Sequence, residues 1–153
     1  MSRTATGWTF VAVQGALLGA LILLPGRDDW ATPGWLQFIG FILILAGLAF
    51  GAVAALRLGP ALTPTPVPTS DGQLTTSGLY RYVRHPIYTG VLTIVVGLTL
   101  RSGSWISLAV AIVTLAFFTV KAKWEEARLA ERYDDYSDYA SRTPRFVPRP
   151  WGR

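Results

Sequence analysis

The sequence predicts an all-α integral membrane protein: four transmembrane helices, a cytoplasmic helical extension and an irregular C-terminal tail, in one domain over residues 1–153. Hydrophobic residues make up 51% of the chain and charged residues only 15%, an apolar composition for a soluble protein of this size. Basic residues stand between and after long apolar runs. Without cysteine, and with a single histidine, the chain cannot build disulfides, thiolate sites or multi-histidine metal sites, so no metal is predicted.

Four apolar runs supply the predicted spans, at about residues 8–24, 35–56, 87–100 and 105–120. The first is near the lower length limit for a span and is expected to stay in the mature protein, because no small-residue cleavage site precedes Pro25. The third has only 14 residues, which is short for a hydrocarbon core of about 30 Å. It must thin the bilayer or lie against other helices.

Glycines four residues apart occur in both of the first two runs, as Gly15 with Gly19 and Gly47 with Gly51. Such pairs let helix backbones approach closely. They favour packing of these two helices on each other, or of two copies in a homodimer.

The linker and the basic residues set the predicted orientation. Prolines in residues 58–77 forbid a helix and predict an extended linker. The positive-inside rule then places both termini and the loop of Arg84 and His85 in the cytoplasm, in a cell membrane of bacterial type. The net charge of +5 is assigned to contact with membrane lipid and not to nucleic acid.

The segment of residues 78–90 carries the main functional signal. Proline fits the first position of a helix, so Pro86 is predicted to begin the third helix, with His85 at its amino-terminal end. Arg81, Arg84, His85 and the helix terminus would together receive a carboxylate or phosphate at the membrane surface. The simpler alternative is generic positive charge beside a membrane.

Two adjacent acids follow the fourth run. Helical spacing places Glu125 with Lys121, Arg128 and Arg132 on one face, predicted to be solvated, and Glu126 on an apolar stripe where it needs a positive partner. Bases on one element and acids on another would suit a zwitterion such as the amino-acid end of S-adenosylmethionine. The alternative is an ordinary solvated helix face.

These segments also carry a family resemblance. The run from Thr76 to Gly90, then residues 125–129 and 133–139, and finally residues 144–148 resemble the isoprenylcysteine carboxyl methyltransferase and phospholipid methyltransferase superfamily over roughly residues 70–148. Tyr133 and Asp134 stand where that superfamily commonly has Phe-Gly, and Lys121 where the prenylcysteine enzymes share an arginine. Lysine cannot make the bidentate carboxylate contact that arginine makes.

The resemblance implies a membrane-embedded methyltransferase that uses S-adenosylmethionine and acts on a lipid-like acceptor, such as an isoprenylcysteine carboxylate. Arg84, His85 and Glu126 are the predicted catalytic residues, and Lys121 is the predicted substrate contact. The predicted cofactor contacts are Gly72, Gln73, Leu74, Thr75, Tyr80, His85, Pro86, Ile87, Tyr88, Glu125 and Glu126.

Three alternatives stay open at this point. A phospholipid amine N-methyltransferase would use Glu126 as the base that accepts the amine proton. A reductase of the membrane sterol type would bind NADPH in place of S-adenosylmethionine. A non-catalytic membrane scaffold would bind neither.

Overall fold

The computed structural model describes residues 3–59, 62 and 74–148, and every regular element in these ranges is helical. The elements are α1 (Arg3–Leu23), α2 (Gly34–Leu58), a 3-10 turn (Gly78–Arg81), α3 (Pro86–Ser102), α4 (Trp105–Arg132) and α5 (Tyr136–Arg142). The all-α prediction is confirmed. The 3-10 turn and α5 were not predicted, and most of the predicted linker lies outside the described residues.

Three of the helices, α1, α2 and α4, are long and apolar enough to cross a membrane, whereas α3 has 17 residues. Large apolar side chains such as Phe38 and Leu56 point outward on the bundle, as lipid-facing residues do. The chain is therefore a helical membrane protein. That all four apolar helices span the membrane stays a prediction.

The closest helix contact is between α2 and α3, and glycine makes it possible. A Cβ atom at Gly47 would lie 2.5 Å from the carbonyl oxygen of Gly90, and one at Gly97 would lie 2.5 Å from the carbonyl oxygen of Gly40. The predicted packing of α1 on α2 through these glycines is wrong within one chain: α3 supplies the facing glycines, while a Cβ atom at Gly15 or Gly19 of α1 would meet nothing within 4 Å. The alternative, a homodimer, stays a prediction.

The first helix packs instead on α4, through aromatic rings. Phe10 lies 5.9 Å from Phe117 and 5.5 Å from Trp124, measured between ring centroids. The Trp124 ring also contacts the guanidinium of Arg128, whose central carbon lies 4.1 Å from the ring centroid.

The end of the bundle opposite His85 is closed by backbone hydrogen bonds. Gly103 ends α3 in the left-handed region with a φ of 58°, which makes a tight connection to α4. The α1–α2 loop packs on this connection, since the N–H of Arg27 donates to Ser102 (2.7 Å) and the N–H of Asp29 to Gly103 (3.0 Å). The Asp29 carboxylate accepts from the N–H of Trp105 at 2.9 Å, near the start of α4.

The glycine contact predicts opposite effects for the same substitution at two sites. Gly47→Ala pushes a methyl group into the α3 backbone and should destabilise the protein by about 1–3 kcal/mol. Gly15→Ala meets open space and should be neutral or stabilising by up to about 1 kcal/mol. Thermal unfolding of both variants in one detergent compares them directly. Equal midpoints would contradict the contact.

Candidate active site

The site is built around the start of α3. His85 is the N-cap residue and Pro86 occupies the first turn, as predicted from the sequence. The His85 carbonyl accepts hydrogen bonds from the N–H and the hydroxyl of Thr89, at 2.9 and 3.1 Å. These bonds fix the backbone of His85 at the helix start, and its side chain is buried.

Residues 143–148, here called the C-terminal strap, lie across this helix start. The N–H of Arg84 donates to the Pro144 carbonyl at 2.9 Å, and the N–H of His85 donates to the Arg145 carbonyl at 3.1 Å. The hydroxyl of Thr89 also donates to the Phe146 carbonyl at 2.8 Å. The predicted irregular tail is thus confirmed for its described part, the strap. The strap bonds directly to Arg84 and His85.

Glu126 is the centre of a cluster of ionic contacts. Arg145 donates to both of its carboxylate oxygens, from Nε at 2.8 Å and from Nη2 at 2.7 Å. His85 Nε2 lies 3.0 Å from Oε1 and Arg84 Nη2 lies 3.2 Å from the same oxygen. The predicted positive partner of Glu126 is therefore provided by the protein itself, and Arg84 also donates to the Ala140 carbonyl at 2.8 Å.

This cluster holds Glu126 ionised. Glu126 lies beyond the apolar run that ends at Val120, in a stretch where seven of the twelve residues 121–132 are charged. Burial alone would raise its pKa, but the hydrogen bonds from Arg145 and His85, with the charge of Arg84, lower the pKa to about 2. The same contact raises the pKa of Arg145.

Glu125 has different surroundings. Its Oε2 accepts a 2.7 Å hydrogen bond from the hydroxyl of Tyr88 and lies 3.7 Å from Nδ1 of His85. The rings of His85 and Tyr88 are stacked, with centroids 5.1 Å apart and planes 1° apart. His85 therefore lies between the two glutamates, with one ring nitrogen toward each.

Lys121 does not lie on a solvated face, contrary to the prediction. The residue is 3% exposed, and its Nζ donates to Oε1 of Gln14 in α1 at 2.6 Å. The ammonium also lies 5.1 Å from the centroid of the Tyr88 ring. The prediction failed because it treated α4 as leaving the bundle after Val120, whereas α1 and α3 still cover this turn.

The other predicted cofactor contacts that the structure describes lie before α3 and in its first turn. Tyr80 is buried, its hydroxyl reaches the Ala54 carbonyl at 3.4 Å, and its own carbonyl accepts from the Tyr139 hydroxyl at 2.6 Å. Ile87 is half-buried in the first turn of α3, and Leu74 and Thr75 are half-buried before the 3-10 turn. Gly72 and Gln73 lie outside the described residues.

Sequence reasoning missed three residues of the site. Arg145 lies in the segment 144–148 that carries the family resemblance, but no role was predicted for it. The partly buried Glu126 on α4 nevertheless required a cation from another segment. Tyr139 bonds the 3-10 turn from α5, a helix with no apolar periodicity to reveal it. Gln14 is a polar residue inside the first apolar run, and no local pattern indicates its contact with Lys121.

Fold and site together define a class: a helical membrane protein with a partly buried charged cluster where the short helix begins. Within the described ranges, no three His, Cys, Asp or Glu side chains gather as a metal site would require. A family model described as phospholipid methyltransferase matches residues 35–136, about two thirds of the chain. The chain belongs to this phospholipid and isoprenylcysteine methyltransferase superfamily, and it is a membrane methyltransferase of that group.

The chain is also similar to individual proteins, two of which carry the name of the family's isoprenylcysteine enzymes. The chain is 29% identical over 86% of its length to protein-S-isoprenylcysteine O-methyltransferase B of Arabidopsis thaliana, covering 67% of that protein. It is 35% identical over 69% of its length to the protein-S-isoprenylcysteine O-methyltransferase of Schizosaccharomyces pombe, covering 42% of it. It is 39% identical over 97% of its length to the nickel-cobalt-cadmium resistance protein NccN of Alcaligenes xylosoxydans xylosoxydans, covering 67% of that protein.

The strap contact gives a second prediction. Arg145→Gln removes the two-point bond to Glu126, so it should destabilise the protein by roughly 1–3 kcal/mol and speed hydrogen exchange at the amides of Arg84 and His85. Arg142→Gln breaks only an exposed pair with Asp138, worth about 0–1 kcal/mol, and is the matched control. Unchanged exchange in the first variant would show that the strap does not depend on Arg145.

Proposed function

We propose that this membrane methyltransferase uses S-adenosylmethionine and transfers its methyl group to a lipid-like acceptor, most simply the carboxylate of an isoprenylcysteine-type compound. The observation that supports the cofactor is the difference between the two glutamates. Glu126 is neutralised by Arg84, His85 and Arg145. Glu125 accepts from a hydroxyl at 2.7 Å and has an imidazole nitrogen at 3.7 Å, while the Lys121 ammonium acts on it only from beyond ion-pair distance. Glu125 is therefore the acid suited to a ligand cation.

The side chains around Glu125 suit the amino-acid end of the cofactor. Its ammonium would pair with Glu125, and the stacked rings of His85 and Tyr88 offer an apolar and polarisable wall beside that acid. Pro86 and Ile87, with Tyr80, Leu74 and Thr75 around them, would form the remaining contacts on the described part of the chain. Gly72 and Gln73 belong to the same proposal.

The site residues would have separate roles. When bound, the cofactor supplies a methyl group activated by a sulfonium. Arg84 and Glu126 would act as positioning residues, because they fix the ring of His85 and the strap but have their charges satisfied by each other. His85 would contact the cofactor directly, and the packed strap would help exclude water, so rate enhancement comes mainly from orientation.

The acceptor assignment depends on Lys121. A cation buried among aromatic rings favours an anion and disfavours a protonated amine, so the carboxylate is preferred to the phospholipid amine. A carboxylate also needs no base, which agrees with a Glu126 whose low pKa makes it a poor proton acceptor. Lys121 would bind the acceptor carboxylate.

Adjacent glutamates provide the test of the cofactor site. Glu125→Gln removes the proposed ammonium partner and should raise the dissociation constant of S-adenosylhomocysteine about 10- to 100-fold in calorimetric titration. Glu126→Gln should instead abolish methyl transfer in a folded protein, because Arg84 and Arg145 lose their shared carboxylate and release His85.

Asp28→Asn, at the opposite end of the bundle, is the control for both glutamate variants, and NADPH is titrated in parallel. Full binding and full turnover in both glutamate variants would refute the site. Binding of NADPH without S-adenosylhomocysteine would favour the reductase, and binding of neither ligand would favour the scaffold.

The proposed orientation places both termini and the site in the cytoplasm of a bacterial-type cell membrane, because the basic residues cluster at that end. Reporter fusions at Asp28 and Gly103 should then both read as external. The two positions share one end of the bundle through the bonds of Arg27 and Asp29, so they must agree. A cytoplasmic signal at Gly103 would refute the four-span topology.

A further inference from the structure

The contact between Gln14 and Lys121 joins α1 to α4 beside the candidate site. Lys121 Nζ is 2.6 Å from Gln14 Oε1 and lies over the rings of Tyr88 and Phe118, at 5.1 and 5.8 Å from their centroids. Within the described part of the chain no carboxylate lies within ion-pair distance of this ammonium. The Glu125 carboxylate, one helical turn away, acts on this ammonium only from beyond ion-pair distance. A buried cation whose direct contacts are a neutral amide and ring faces is stabilised when an anion joins it.

The contact with Lys121 determines the orientation of the Gln14 side-chain amide. A lysine ammonium has three donors and no acceptor, so the Gln14 atom that it contacts must be the oxygen. The amide nitrogen of Gln14 is therefore directed elsewhere, and it donates no hydrogen bond to the residues that the structure describes. Gln14 is only half-buried, so a ligand in the surrounding lipid can reach its amide.

We propose that Gln14 is a specificity-determining residue of the acceptor site, where its amide N–H and the Lys121 ammonium together hold one carboxylate. This inference rests on the proposed function and deepens it. Lysine alone offers a single-point contact where an arginine would offer two parallel donors. An amide locked beside the ammonium supplies the second donor, from a different helix.

Gln14 lies outside the region that the family model matches. The family model matches residues 35–136, so α1 lies outside the matched region. The hydrogen bond to Lys121 and the ring contacts of Phe10 nevertheless tie α1 to the part of α4 that carries the glutamates. An acceptor site completed by α1 would let this helix choose the acceptor without altering the cofactor contacts.

The test measures acceptor binding to the detergent-purified full chain saturated with S-adenosylhomocysteine, so that turnover is not needed. The probes are N-acetyl-S-farnesylcysteine and its carboxamide, which lacks the negative charge. The parent protein should bind the carboxylate at least about tenfold more tightly than the amide. Gln14→Leu should weaken carboxylate binding roughly 5- to 30-fold and leave the affinity for S-adenosylhomocysteine unchanged.

Two further variants separate this role from a structural one. Gln14→Glu keeps a partner for Lys121 and keeps the helices together, yet it neutralises the ammonium, so it should weaken carboxylate binding more than the leucine variant does and reduce the preference over the amide. Thr9→Val changes an exposed hydroxyl that bonds only within α1 and should match the parent protein.

Equal binding of the two probes by the parent, or parental carboxylate binding in both Gln14 variants, would overturn the inference. Failure of the parent to bind S-adenosylhomocysteine would be seen first and would overturn the proposed function together with this inference. The two failures are thus distinguished in one series of measurements.

Discussion

The arrangement of the site depends on one carboxylate, that of Glu126. Three separate segments meet on it: α4 carries the acid, the loop before α3 brings Arg84 and His85, and the strap brings Arg145. An uncompensated buried charge costs several kcal/mol, whereas a fully hydrogen-bonded cluster does not. Each charge in the cluster is therefore stabilised by the others, and the ion pairs fix the three segments relative to one another.

Neighbouring positions on one helix are separated by about 100°, and this geometry gives the two glutamates different surroundings. Glu126 faces the strap and is saturated by protein cations, while Glu125 faces Tyr88 in α3. His85 lies between them, so a rigid ionic centre on one side orients the ring that borders the other acid. The ionic cluster of Glu126 and the proposed cofactor contact at Glu125 are thus adjacent but separate.

The sequence was sufficient for those features that depend on local chemistry. Apolar runs give the helices, and a proline after His85 gives the start of α3, because both follow from hydration and backbone geometry. The contacts of Arg145, Gln14 and Tyr139 could not be predicted in this way. Each pairs with a residue 19 to 107 positions away, and no local pattern encodes which distant segment will lie against it.

The same limit explains the errors at Lys121 and at the glycines. Helical periodicity showed correctly that Lys121 and Glu125 share a face, but only packing decides whether a face meets water or another helix. Spacing of four residues similarly drew attention to Gly15 and Gly19, while the contacts that matter join Gly40 and Gly47 to Gly97 and Gly90. Those pairs are recognised only when α2 and α3 are placed side by side.

The glycine contacts also determine the depth of the site. Gly90 faces Gly47 and Gly51, and Gly97 faces Gly40 and the turn after it, so α2 and α3 run antiparallel. Continuing this register to Pro86 places the start of α3 beside Val53, five residues before α2 ends at Leu58, or about 7.5 Å at 1.5 Å per residue. The bond from the Tyr80 hydroxyl to the Ala54 carbonyl agrees with that level. The polar residues at the start of α3 therefore lie deeper in the bundle than the end of α2. Under the proposed function, this is the depth at which a water-soluble cofactor and the head of a lipid-borne acceptor can meet without either one crossing the hydrocarbon core.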